Sequence, residues 1–266
     1  MHAQKIPTAV RLLGFEPCER EHMRALLAAA PRAGPVYACL HEDSLQEPDL
    51  VLADGASPAA LAELDGMRCI PPALLVGGSE GDGYAHLMRP VQPEMLHEAL
   101  ARLLAERQRA LAVLSARGAP LLAERRRCPR LRQDDAIESV LRRRPPRSGK
   151  VLIVDKGGAF RDHLAGLLGE RRLPVAWTDS APMAVRLCDE TRVSLAMINT
   201  AAPNIDPYAL SFAIKSQEGA GRTAVVLLVG KAFSYDSERA RDARVRGLLD
   251  KPVADRNLVA MLQRFT

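Results

Sequence analysis

Two α/β domains, each a doubly wound five-stranded parallel sheet and the pair joined by a helical connector, is the fold that this 266-residue sequence predicts. Three observations predict it. Short apolar runs such as Val151-Leu152-Ile153-Val154 and Val193 to Ile198 carry too few polar positions for a strand with one wet face, so both faces must be covered by helices. Those runs alternate with segments of helical pattern, which implies right-handed βαβ crossovers. The same succession of elements also occurs twice along the chain, which predicts two copies of one unit.

In the first half, Val10 to Phe15 reads as a strand, Glu19 to Ala30 as a helix and Val36 to Leu40 as a strand. Leu50 to Asp54 is the next strand, Ala59 to Asp65 a short helix, and Ala73 to Val76 and Ala85 to Met88 two further strands. Joins fall at Gly34-Pro35, Pro48, Gly55, Pro71-Pro72 and Gly77-Gly78, where helix or strand is interrupted. The second half runs through strands at Val151 to Val154, Pro174 to Trp177, Val193 to Asn199, Ala224 to Val229 and Gly247 to Leu249. Its helices are Phe160 to Glu170, Ala181 to Glu190, Tyr208 to Glu218, Ser237 to Arg244 and Arg256 to Phe265.

Direct comparison supports the repeat. Arg20-Glu21-His22 lies over Arg161-Asp162-His163, and Arg89-Pro90-Val91 over Lys251-Pro252-Val253. Two apolar strands end in a polar residue followed four residues later by proline: Asp54 with Pro58, and Asn199 with Pro203. In open parallel sheets ligands gather at the carboxyl ends of strands, so Asp54 and Asn199 are the residues to explain.

Composition narrows the classes. The five cysteines have no C-x-x-C spacing and no histidine cluster, against a disulfide framework or a zinc site and for a cytoplasmic protein with reduced thiols. No stretch approaches eighteen uninterrupted apolar residues, so no membrane insertion is expected. His22, His41, His86, His97 and His163 are read as surface or packing residues, as are Trp177 and Tyr208. Neither a P-loop nor a nucleophile-base spacing is evident, so no enzymatic activity and no cofactor are expected.

Both halves resemble receiver domains of bacterial two-component response regulators, over about residues 8–105 and 149–266, with 106–148 as the connector. The second half carries the more specific signature: Val-Leu-Ile-Val-Asp155, Asn199 to Pro203, Val229-Gly230-Lys231-Ala232-Phe233 and Lys251-Pro252-Val253. The resemblance implies a receiver or flavodoxin-like sheet. It also implies an acidic pair holding magnesium after the first strand and an aspartate nucleophile after the third. A Ser or Thr after the fourth strand and a Lys before the fifth-strand proline complete the family's set.

Neither half has that set. In the second, Lys156 stands beside Asp155 in the acidic pair, Asn199 replaces the nucleophile and Val229 the Ser or Thr, while Lys251 remains. An amide cannot form an acyl phosphate. In the first, Asp54 holds the nucleophile position, but Gly14 and Phe15 replace the acids, Gly77 the Ser or Thr, and Arg89 the Lys. Both are expected to be pseudo-receivers, with Asn199 unable to accept phosphate and Asp54 not phosphorylated.

The connector is the other informative stretch. Leu96, Leu100, Leu103, Ala110 and Leu114 extend one apolar seam beyond the first domain, with Arg107 at the skipped position. The seam suits a dimerising coiled coil or a single amphipathic helix lying on a domain. Residues 107–150 then hold thirteen Lys or Arg against four acids, a net charge of +9 in a chain of net +5. Arg125, Arg126, Arg127, Arg130, Arg132, Arg142, Arg143 and Arg144 can grip phosphates bidentately, and Arg132 with Asp135 fits an R-x-x-D pattern for cyclic di-GMP. A solvated linker, a cyclic di-GMP site and a nucleic-acid contact all fit this segment. The function expected overall is non-enzymatic signalling by phosphorylation-independent protein binding, with a kinase or another regulator as partner and a homodimer allowed; cyclic di-GMP or nucleic-acid binding are the alternatives.

Overall fold

A computed structural model describes residues 7–29, 34–67, 71–78, 83–116, 149–168, 174–217 and 223–265. The chain divides into two compact units, Met1–Glu42 with Glu47–Leu141, and Asp43–Gln46 with Arg142–Thr266. Each contains a five-stranded parallel sheet.

The first unit is built from β1 (Thr8–Leu13), α1 (Pro17–Ala28), β2 (Tyr37–Cys39), β3 (Leu50–Asp54), α2 (Pro58–Asp65), β4 (Ala73–Val76), β5 (Ala85–Leu87) and α3 (Pro93–Ala116). Its strand order is β2-β1-β3-β4-β5, with Leu12 opposite Leu52 and Leu52 opposite Leu74. Successive side chains of a strand point to opposite faces. Val10, Leu12, Leu50, Leu52, Leu74 and Val76 therefore pack on Met23 and Leu27 of α1 and Leu96 and Leu100 of α3. Leu13, Val51, Ala53 and Leu75 face the other way, onto Ala60 and Leu64 of α2.

The second unit runs β6 (Lys150–Val154), α4 (Ala159–Leu168), β7 (Val175–Thr178), α5 (Ala181–Glu190), β8 (Val193–Asn199), α6 (Pro207–Ser216), β9 (Ala224–Val229), α7 (Ser237–Asp242), β10 (Gly247–Asp250) and α8 (Asp255–Phe265). Its order, β10-β9-β8-β6-β7, is that of the first sheet. Val151, Ile153, Met197 and Leu228 are covered by Leu164 of α4 and Leu258, Met261 and Leu262 of α8. Leu152, Ile198, Val225 and Leu227 are covered by Ala184, Cys188, Leu210, Ile214 and Ala240 from α5, α6 and α7.

Element order agrees with the sequence expectation, and the boundaries move for local reasons. β1 ends at Leu13 because Gly14 takes φ +75°, a conformation open to glycine, which turns Phe15 into the core under α1. α7 ends at Asp242 because Arg244 adopts φ +53°. The Val245 amide then reaches back to the Ala240 carbonyl at 2.8 Å, the Schellman closure that usually employs glycine. Helix starts follow their caps: Ser57 accepts from the Ala60 amide, Asp206 from Tyr208 and Ala209, and Asp236 from Glu238 and Arg239. α3 continues past the boundary drawn at residue 105, and Arg107 in its seam donates to the Asp49 carbonyl at 3.0 Å.

Candidate functional site

In both units the polar residues of interest meet at the carboxyl ends of the strands, because β1, β3 and β5, or β6, β8 and β10, run parallel and end on one side. In the second unit Asn199 closes β8, Asp155 follows β6 and Lys251 follows β10. The three form a chain: Lys251 Nζ donates to Asn199 Oδ1 at 2.5 Å, and Asn199 Nδ2 donates to Asp155 Oδ1 at 2.7 Å. Asn199 Oδ1 also accepts from the Ala201 amide at 3.0 Å, and Asp155 Oδ1 from the Lys156 amide at 2.7 Å. Every polar atom of the Asn199 amide group is thus engaged by the protein itself. Burial pulls the Lys251 pKa below the ordinary lysine value; Asp155 works against that and Lys156 adds to it. The neighbouring Thr200 hydroxyl donates to the Leu228 carbonyl, and Val229 is buried in the core.

The first unit reaches a similar end with different residues. Arg89 follows β5 and its guanidinium lies 3.2 Å from Asp54 Oδ1 and 2.7 Å from Glu19 Oε1. Asp54 is 16% exposed and Arg89 37%. The Asp54 carboxylate also accepts from the Ala56 amide at 2.9 Å. Gly77, φ +71°, makes room for this arrangement: a Cβ there would sit 2.8 Å from an Arg89 nitrogen. Gly55 is needed for the same packing, since its Cβ would lie 2.2 Å from the Gly77 carbonyl oxygen. The Arg89-Pro90 and Lys251-Pro252 peptide bonds are both cis.

Magnesium demands hard oxygen ligands in near-octahedral array. Asp155 brings one carboxylate, but it is already bonded to Asn199 and the Lys156 amide, with an ammonium group on the far side of the amide. In the first unit Gly14 has no side chain and Phe15 is buried among apolar residues. The residues present do not fit the metal. Among the described residues no group of three or more His, Cys, Asp or Glu could hold a metal ion.

The structure brings together Asp155, Asn199 and Lys251, and Asp54 and Arg89. It adds Glu19, which sequence reasoning passed over. The available signal was an acid in the first turn of α1, where the helix dipole favours a carboxylate, in a domain whose lysine position holds arginine. His97 stacks on Tyr37, the exposed His163 pairs with Asp255 at 2.9 Å, and Trp177 donates to the Asp155 carbonyl. Arg125, Arg126, Arg127, Arg130, Arg132, Asp135, Arg142, Arg143 and Arg144 lie outside the described residues, so the cyclic di-GMP pattern does too.

Residues 151–263 match the response regulator receiver domain family. The second unit is a receiver domain, and the first is a second receiver-like sheet of the same strand order. Among solved structures, the chain is similar to the receiver domain of a sensor histidine kinase from Pseudomonas aeruginosa PAO1, with 23% identity over 44% of this chain and 97% of the other, and a TM-score of 0.39. It is also similar to the signal receiver domain of a histidine kinase from Syntrophus aciditrophicus, with 26% identity over 44% and 89% of the two chains and a TM-score of 0.39. A CheY-like receiver domain protein from Methanospirillum hungatei JF-1 gives 19%, 44%, 91% and 0.40 for the same quantities. Among curated proteins none matches. The match to the receiver domain family covers residues 151–263 and does not extend over the first unit. No helix of the described residues is long and apolar enough to cross a membrane.

Proposed function

We propose that this protein signals by binding another protein, a kinase or a second regulator, independently of aspartyl phosphorylation, and that both of its receiver-like units are degenerate. One observation carries the proposal: in each unit the residue at the nucleophile position is held by the chain's own cation, Asn199 by Lys251 and Asp54 by Arg89. In a receiver that cation meets the incoming phosphoryl oxygens. Here it is spent on an internal contact. An amide at residue 199 has no carboxylate to phosphorylate, and Asp54 could accept a phosphoryl group only after giving up Arg89, with no metal to offset the added charge.

The docking surface that fits this reading in the first unit surrounds Arg89 and the start of α3, where Met88 is 66% and Met95 54% exposed. Methionines adapt their shape to a partner and are costly to leave in water. The test has two arms. Incubation with acetyl phosphate and magnesium, followed by intact-mass measurement, should leave the full-length protein unmodified. Cross-linking in the source cell should recover a kinase or regulator whose binding is lost in the Met88→Asp, Met95→Asp double variant and kept in Asp54→Asn. A labile phosphate on Asp54 that alters partner affinity would overturn the proposal.

A further inference from the structure

The opposite end of the second unit's sheet carries a feature that signalling at the strand carboxyl ends does not use. Along the amino-terminal edge, cations stand at the start of one strand after another. Lys150 opens β6, Arg192 immediately precedes β8, and Arg246 immediately precedes β10. β9, between β10 and β8, is preceded by Thr223, whose carbonyl accepts from Lys215 Nζ at the end of α6. Backbone and hydroxyl hydrogen bonds fasten these starts together: Lys150 N to the Arg192 carbonyl at 2.9 Å, Thr223 Oγ1 to the Val193 carbonyl at 2.8 Å, and Arg246 N to the Val225 carbonyl at 2.8 Å. In the sheet order β10-β9-β8-β6 cations stand at the starts of three strands, with Lys215 of α6 at the start of β9, and the strands are about 4.8 Å apart.

This row is short of counter-charge. Among the described residues Lys150, Arg192, Arg244 and Arg246 are in no ion pair, and Arg192, Arg244 and Arg246 are exposed. Among the described residues the carboxylates on the helix ends that reach this side are Asp189, Glu190 and Asp242, of which Glu190 is held by Arg186. Burial together with Arg244 and Arg246 pulls the Lys215 pKa down, so these cations already oppose one another. Arg244 adds to the row from a left-handed conformation, φ +53°, in which a glycine would be strain-free. One turn before Lys215 on α6, Phe212 is 57% exposed.

We propose that this edge binds a single-stranded nucleic acid, with phosphates laid along Lys150, Arg192, Arg244 and Arg246 and a base stacked on Phe212. A line of unpaired cations, with an exposed aromatic ring on the helix whose end reaches it, is the combination that holds a single strand: the charges follow the backbone and the ring accepts any base. An acidic protein would answer the cations and leave the ring unexplained. A rigid duplex would meet the row and have no splayed base to offer Phe212.

The experiment is fluorescence anisotropy of the full-length protein with labelled oligo-dT and oligo-U, with duplex DNA and polyglutamate as competitors. Expected is salt-sensitive binding to at least one single strand. The Arg192→Glu, Arg246→Glu variant should bind more than tenfold more weakly, with the slope of log affinity against log salt reduced by about 1.4. Phe212→Ala should lose at least about fivefold with the slope unchanged, which separates stacking from charge. Arg244→Gly should weaken binding while the fold is kept or strengthened, so a fall in affinity there is not a failure to fold. The inference is overturned by no binding at low salt, by full affinity in the double variant, or by competition from polyglutamate or duplex equal to that from unlabelled single strand.

Discussion

Lys251 shows at one residue how a cation at a strand end is engaged by the chain itself. Its ammonium is half-buried, its pKa is pulled down by burial, and it donates to the Asn199 amide oxygen. A lysine with a folded pKa below its unfolded value near 10.5 binds fewer protons folded than unfolded between the two. Stability therefore rises with pH through that alkaline window, and the cost of burying the charge stands in full below it. Lys251→Met should abolish this rise. The chain's one tryptophan, Trp177, bonds to the Asp155 carbonyl beside the site. Urea unfolding followed by Trp177 fluorescence at neutral pH and at an alkaline pH, in both proteins, reads the difference; an identical alkaline increment in the variant would assign the rise to another group. Strand ends singled out Asn199, and the resemblance to receiver domains set Asp155 and Lys251 beside it. That the cation has turned inward was not legible, because spacing carries no side-chain direction.

Helix ends illustrate the next scale. Asp206 caps α6 by accepting from the Tyr208 and Ala209 amides, and it pairs with Arg239 at 3.0 Å, while Arg239 lies over the Tyr208 ring at 4.6 Å. Burial alone would raise the Asp206 pKa, but the two amides and Arg239 outweigh it and hold the carboxyl below its usual value. The cap's contribution is therefore present above the ordinary aspartate pKa and is lost as pH falls through the lower folded value. Asp206→Ala should destabilise the second unit by about 1 kcal/mol at neutral pH, by Trp177 fluorescence, and the gap to the parent should close in acid. The helix starts at Pro207, one residue before the Tyr208 expected from the sequence. α7 was predicted two residues too long, because nothing in the string Asp242-Ala243-Arg244-Val245 announces that an arginine will take the position glycine usually fills. β1 was displaced for a related reason: Gly14 ends it, and Phe15 is apolar for the core under α1 rather than for the strand.

For the whole molecule, the two sheets are stabilised by aliphatic layers on both faces, and this is where thiol chemistry separates the cysteines. Cys18 is exposed on α1, whereas Cys188 is buried under the second sheet, and burial pushes its thiol up to about 11, with Lys215 opposing slightly. Since the thiolate is the reactive form, a maleimide at neutral pH should label Cys18 within the folded protein, and Cys188 only as the second unit unfolds. Mass spectrometry of labelled peptides across a urea series checks this; early labelling of Cys188 would show that the second core opens locally.

By itself the sequence determined that this chain makes two parallel α/β sheets of one design, and which residues stand at the strand ends of each. Apolar runs too uniform for a wet face and a repeated order of elements leave few other ways to bury the chain. Tertiary structure decided what those ends do. The Lys251 to Asn199 bond, the clasp of Arg89 on Asp54 and Glu19, and the row of cations along the far edge of the second sheet each join residues far apart in sequence. Such contacts depend on distance and direction between side chains, quantities that exist only once the sheet has placed one strand beside another.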